Sequence, residues 1–284
     1  MTQARRTTLV HRTEYHYERP VRLGPQWVRL RPLPHPRLPA APYRLTVEPA
    51  PLSLHWQTDP LGNHVARLVL PQPLGLLVLE VEVTLDLTPA NPFDFLLEPE
   101  AGQWPFRYGA DLSDALMTFR RPDHAGPLLE ALWAHTAQPA ETVPFLLGLA
   151  ARVRDAVAYI VRMEAGVWPP DRTLSEGRGS CRDSAWVLVQ LLRMHGVAAR
   201  FVSGYLVQQP DDGSVPAAEL HAWAEAFLPG AGWVGVDATS GFLTAEGHIP
   251  LAASPDPVGA APLSGTVEPG AVRLHTSIVL RPAA

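Results

Sequence analysis

Lysine is absent from this 284-residue chain: all 23 basic residues are arginine. Schiff-base formation and lysine general-base catalysis are thereby excluded, since both need an amine that can give up its proton. Cysteine is nearly absent too. The single Cys181 rules out an internal disulfide framework and any zinc site assembled from several thiolates. Long apolar runs are missing: none reaches the roughly 20 residues a membrane-crossing helix needs. The opening Met1-Thr2-Gln3-Ala4-Arg5-Arg6 leads into an alternating pattern, not into an apolar leader. A basic face is missing as well, with 23 basic against 28 acidic residues and a net charge of −5. No basic run is interleaved with aromatics, so neither a nucleic-acid nor a membrane partner is expected. The expectation is a soluble, cytoplasmic protein.

What is present begins with strands. The soft prior of about 150 residues per domain suggests two domains. Residues 7–17 alternate, with Leu9, His11, Thr13, Tyr15 and Tyr17 on one face and Thr8, Val10, Arg12, Glu14 and His16 on the other. Period two with aromatic and β-branched residues predicts a half-buried strand. Further strands are expected over 26–31, 43–48, 52–57 and 64–70. Asp59-Pro60-Leu61-Gly62-Asn63 supplies the turn of a hairpin between the last two. Over 78–87, Val81, Val83, Leu85 and Leu87 face one way and Glu80, Glu82, Thr84 and Asp86 the other. Short strands with Pro and Gly turns read as a β-sandwich-like domain over residues 1–105. Its histidines, His11, His16, His35, His55 and His64, lack metal spacing and are read as structural or solvent-facing.

From about residue 106 the pattern turns helical. Short helices are expected over 111–119 and 126–135. Over 145–160, Phe145, Leu149, Val153, Ala156, Val157 and Ile160 form one apolar stripe, read as core. Then comes Gly177-Arg178-Gly179-Ser180-Cys181-Arg182-Asp183-Ser184-Ala185-Trp186, running on to Gly196. Ser180 is a candidate N-cap and Gly196 a candidate C-terminal glycine. Strand-like pieces follow at 199–207, 221–228 and 232–237, with a polar loop at 209–214. Residues 250–270 read as an irregular surface segment, and 272–280 as a last edge strand. Helices first and antiparallel strands afterwards make residues 106–284 an α+β unit.

The chemistry gathers around the cysteine. Cys181 stands in the first turn of an apolar helix, where unpaired N–H groups favour an anion and a thiol is more readily ionised. A lone cysteine serves more often as a small buried apolar group, so the rest of the chain has to decide. A cysteine nucleophile needs a base, and the base needs a group that fixes its tautomer. His221 opens one strand and Asp237 ends the next, with Pro229-Gly230-Ala231-Gly232 between as turn material. An antiparallel hairpin brings the start of one strand beside the end of the other.

These blocks carry a resemblance. Gly179-Ser180-Cys181, Ala199-Arg200-Phe201-Val202-Ser203-Gly204-Tyr205, His221-Ala222-Trp223-Ala224-Glu225 and Gly232-Trp233-Val234-Gly235-Val236-Asp237-Ala238-Thr239 are similar to the transglutaminase-like superfamily of papain-like cysteine enzymes. The opening, with His11, Thr13, Tyr15 and Tyr17 followed by Pro20-Val21 and Arg29-Leu30-Arg31-Pro32, resembles the β-rich N-terminal region of bacterial members. Ala238 stands where Asp-Pro-Thr is commoner. The resemblance implies a transglutaminase-like catalytic core and a Cys181–His221–Asp237 triad acting through a thioester. It implies no cofactor, and no counterpart of the animal enzymes' calcium sites is seen. It also implies a peptide or protein amide as substrate. Trp168 and Gln190 are possible second oxyanion donors, though both read better as structural. Asp183 reads as a first-turn carboxylate, and Arg182 as a candidate partner for a substrate carboxylate. His195 and His248 read as helix-end and surface residues. Three functions stay open: a peptidase or amidase, an acyltransferase passing the acyl group to an amine, and a non-catalytic binder of a peptide or partner protein.

Overall fold

The computed structural model describes residues 6–34, 42–123, 126–208 and 216–283. The first strands are β1 (Arg6–Val21), β2 (Leu23–Val28), β3 (Tyr43–Glu48), β4 (Ser53–Thr58), β5 (His64–Val69) and β6 (Leu74–Asp86). The alternation in the sequence is the alternation between core and surface: Leu9, Val81, Val83 and Leu85 are buried, while Arg12, Glu80 and Glu82 are not. The expected β4–β5 hairpin forms. Asp59 holds its turn by accepting the N–H groups of Leu61 and Asn63 at 2.9 Å each.

The middle of the chain gives β7 (Gln103–Trp104), α1 (Ala110–Ala115), α2 (Met117–Arg120), α3 (Pro127–Ala134), β8 (Ala140–Glu141), α4 (Thr142–Ala156), β9 (Ala158–Tyr159), α5 (Pro170–Glu176), β10 (Arg178–Gly179) and α6 (Cys181–Met194). Phe145, Leu149 and Val153 are the buried stripe of α4, as expected. Ile160 lies beyond that helix. From Asp183 to Arg193, α6 is buried on every side. It ends at Gly196, whose φ of +78° turns the chain back toward the sheet.

The chain then lays down β11 (Ala199–Gln208), β12 (Ala217–Leu228), β13 (Gly232–Asp237), β14 (Phe242–Leu243), β15 (His248–Ser254), β16 (Leu263–Val267) and β17 (Val272–Pro282). β11 to β15 make an antiparallel five-stranded sheet in the order β14-β13-β12-β11-β15. Ala222, Ala224 and Ala226 of β12 share a core with Leu188, Leu191 and Leu192 of α6. Three alanines in alternation let that helix come close. Tyr205, Val207, Ile249 and Leu251 enter a second core, together with the N-terminal strands. At roughly 1.5–3 kcal/mol for each fully buried Leu, Val or Ile, these shared residues weld the sheet to the sandwich.

The sandwich consists of two four-stranded sheets, β17-β1-β6-β3 and β16-β2-β5-β4. Chain order and spatial grouping part here, because β16 and β17, which follow the core in sequence, pair with β2 and β1. The expected edge strand over 272–280 is β17. The reading of 250–270 as irregular surface is corrected: Ile249 to Ser254 are buried in β15, and 263–267 is a strand. Pro250 hid β15, since proline is excluded from central strands. β15 lies at the sheet edge, where a missing N–H is tolerated. The polar loop at 209–214 and His35 lie outside the described residues.

Candidate active site

Ser180 caps α6 and Cys181 is the first helical residue, half-buried. The turn is fixed from below by Asp183, which has no exposed surface. Its Oδ2 accepts the Ser180 N–H at 2.9 Å and the Ser180 hydroxyl at 2.6 Å. Arg162 donates from Nη2 to Oδ1 at 2.8 Å and from Nε to Oδ2 at 3.0 Å, and the Trp168 N–H reaches Oδ1 at 2.8 Å. Burial would raise the Asp183 pKa, but the Arg162 and Ser180 hydrogen bonds outweigh it and hold the carboxyl below its ordinary range. The sequence reading placed Asp183 in a first turn; it missed Arg162, which lies in a loop with no periodicity to mark it.

His221 lies in β12 and Asp237 at the end of β13. Strand pairing runs to Ala224 opposite Val236, so Trp223 stands level with Asp237 and His221 is two residues further along the same face. The contact is therefore diagonal, a reach that pleated strands allow. His221 Nε2 lies 3.1 Å from Asp237 Oδ2, and both side chains are 2% exposed. Asp237 Oδ1 accepts the Thr239 N–H at 2.8 Å and the Thr239 hydroxyl at 2.7 Å. With Nε2 committed to Asp237, Nδ1 is the nitrogen left for Cys181. It has no hydrogen-bond partner among the described residues.

Burial alone would lower the His221 pKa. The hydrogen bond to Asp237 and the neighbouring Cys181 sulfur, with the negative charges of both, lift it instead to about 10. Burial would likewise raise Asp237. Its hydrogen bonds from His221 and His248, the imidazolium charge and the Thr239 N–H hold it far below the usual carboxylate range. His221 and Asp237 are thus brought together, and the charge of Cys181 bears on His221.

The remaining candidates have other work. Arg182 donates to the backbone carbonyls of Arg162 and Glu164, and so ties down the loop beside the helix start. Gln190 is fully buried nine residues along α6 from Cys181, with its Oε1 on the Asp123 N–H. At 1.5 Å rise per residue that is far beyond reach of an oxyanion. The Trp168 ring is flanked by the Arg162 and Arg172 guanidiniums. His195 ends α6, as expected, and is buried there, with Nε2 2.8 Å from the Thr136 hydroxyl. His248 is not the surface group expected. It opens β15 with Nε2 3.4 Å from Asp237 Oδ2, a position that only long-range strand pairing creates. Tyr159, half-exposed, feels the charges of Cys181 and of Glu219, and Glu219 Oε1 is 3.8 Å from His221 Nδ1.

The donor atoms of His221, Asp237 and His248 lie within 4.8 Å of one another, close enough to hold a metal ion. The same atoms already form a carboxylate between two imidazoles. A cation there would displace the proton on His221 Nε2, whose retention Asp237 favours. The donor set fits a hydrogen-bonded relay better than a metal centre.

Residues 7–86 match the bacterial transglutaminase-like N-terminal region, and residues 135–238 match the transglutaminase-like superfamily core. An uncharacterized protein of Mycobacterium tuberculosis H37Rv is 27% identical over 277 residues, covering 92% of this chain and 87% of that protein. One from Mycobacterium leprae is 26% identical over 267 residues, covering 92% of each. Among solved structures, a candidate cysteine protease from Cytophaga hutchinsonii superposes with a TM-score of 0.71 at 18% identity, covering 100% of this chain and 93% of that one. That likeness concerns the fold.

Proposed function

Because this chain belongs to the transglutaminase-like superfamily, we propose that it is a cysteine-dependent peptidase or amidase working through a Cys181–His221–Asp237 triad. One observation carries the reading. A half-buried thiol at the start of α6 bears on His221, whose Nε2 lies 3.1 Å from a buried carboxylate. His221 takes the Cys181 thiol proton as the sulfur attacks the amide carbonyl carbon, and the carbonyl π electrons move onto oxygen. The Cys181 N–H stands in the first helical turn, where N–H groups lack intrahelical acceptors, and can donate to that oxyanion. As the C–N bond breaks, His221 hands its proton to the leaving amine, giving a thioester. Water then attacks the thioester while His221 takes its proton. The acid leaves, and Cys181 is regenerated. Asp237 keeps His221 in the tautomer that points its reactive nitrogen at sulfur.

The test starts without a substrate. Iodoacetamide at pH 6 to 7 is expected to alkylate Cys181 quickly in the parent and about tenfold or more slowly in His221→Ala. Equal rates in the two would sink the triad. Release of amine from peptide amides, run with and without an added primary amine, then reads the acceptor. A free acid product supports hydrolysis; an amine conjugate assigns acyl transfer instead.

A further inference from the structure

Asp237 serves two histidines. Its Oδ2 faces His221 Nε2 at 3.1 Å and His248 Nε2 at 3.4 Å, while Oδ1 is filled by Thr239. The His248 ring has only one neutral form that fits. The backbone N–H of Ala245 points at Nδ1 at 3.3 Å, and an N–H can only donate, so Nδ1 is the acceptor and the ring proton sits on Nε2. That proton lies on the side facing Asp237. Trp223 packs edge-on against His248, with centroids 5.2 Å apart and planes at 87°, and near-parallel to His221 at 6.4 Å. Trp223 itself is locked in place: any Cβ on Gly204 would stand 2.4 Å from its ring. Both imidazoles are therefore held by one buried indole and joined through one carboxylate.

We propose that His248 is a positioning residue of the candidate active site, its Nε2–H holding the Asp237 carboxylate in the orientation that presents Oδ2 to His221. The proposal rests on the triad chemistry above. A carboxylate accepts about four hydrogen bonds, and His248 supplies the fourth. Without it, Asp237 can turn about its last bond and His221 loses its fixed direction toward sulfur. His248 also lines a cleft of about 430 Å³, so a substituted side chain has room.

Nitrogen-15 NMR of the labelled protein at pH 7.5 reads the tautomer directly, with the His248 signals assigned by their loss in His248→Gln. The expected pattern is a protonated Nε2 beside an unprotonated Nδ1; a proton on Nδ1 overturns the proposal. Reactivity reads the consequence. Cys181 alkylation is expected to slow about fivefold in His248→Leu, the worth of one net hydrogen bond. It should return to within about twofold in His248→Gln, whose amide reaches the Nε2 position and can donate. His248→Asn, whose amide stands at the Nδ1 position, should stay with the leucine variant. An unchanged rate in His248→Leu, or equal losses in all three, overturns the proposal. If the variants fold poorly, the parent's tautomer still decides. Failure of the triad itself is a separate result: alkylation in the parent that ignores His221→Ala, with the His248 tautomer readable all the same.

Discussion

Asp237 has a negative charge that is almost wholly out of water, 1% exposed, and its carboxylate accepts from His221, His248 and Thr239. Asp237→Asn keeps that shape and removes the charge. If the amide nitrogen faces the two imidazoles, His221 must accept at Nε2 and carry its proton on Nδ1, the wrong nitrogen for a base toward sulfur. The loss also removes Asp237 from the two groups that hold the His221 pKa up at about 10, leaving Cys181 alone against burial. Cleavage of a peptide amide is expected to lose roughly two to four orders of magnitude in kcat with little change in KM, and the alkylation rate at pH 7 should fall with it. A kcat within tenfold of the parent would mean that Asp237 only fills space.

The start of α6 shows how an element can depend on one buried pair. Arg162 and Asp183 are 3% and 0% exposed, with Nη2 to Oδ1 at 2.8 Å. The intact pair is worth little net, but removing one partner strands the other charge. Arg162→Met is thus expected to cost about 3 kcal/mol in urea unfolding, and a loss below about 1 kcal/mol would mean that water reaches Asp183. Elements of this kind divide what the sequence declares from what it withholds. Strands with one wet face, such as β1 and β6, declare themselves by period two, and α6 by its serine cap and terminal glycine. β15 does not: buried on both faces, it offers no alternation, and Pro250 argues against it until its edge position is known. Cys181 and Asp237 were legible because each sits at an element boundary; His221, expected to open its strand, lies inside β12, which begins at Ala217. Arg162, Tyr159 and His248 were not legible, because each acts on a residue 11 to 22 positions away in the chain or from a loop with no pattern.

At the scale of the whole molecule, the last strands close the first sheets, so both cores stand or fall together and their buried histidines act on one unfolding equilibrium. His11 lies in the sandwich with Nδ1 3.0 Å from the Tyr205 hydroxyl, and His195 lies against Trp104 and Thr136. Burial pushes each down to about 4. The folded rings stay neutral while the unfolded ones take up protons near pH 6.5, so stability falls as the pH drops from about 6.5 to 4. Each ring contributes a slope of up to about 1.4 kcal/mol per pH unit. The triad does not obscure this window. His221, raised to about 10, is protonated in both states below pH 6.5, and its contribution is lost only as the pH rises toward 10. Asp237 keeps its contribution above the unfolded carboxylate range of about 3.9 and loses it only below that. Urea unfolding should thus show a loss of about 4 kcal/mol between pH 6.5 and 4.5, a large share of the usual 5–15 kcal/mol. In His11→Gln, whose amide does not titrate, the slope should fall by about half even if the variant is less stable throughout. A flat profile across that window would show that the folded protein protonates these rings in place.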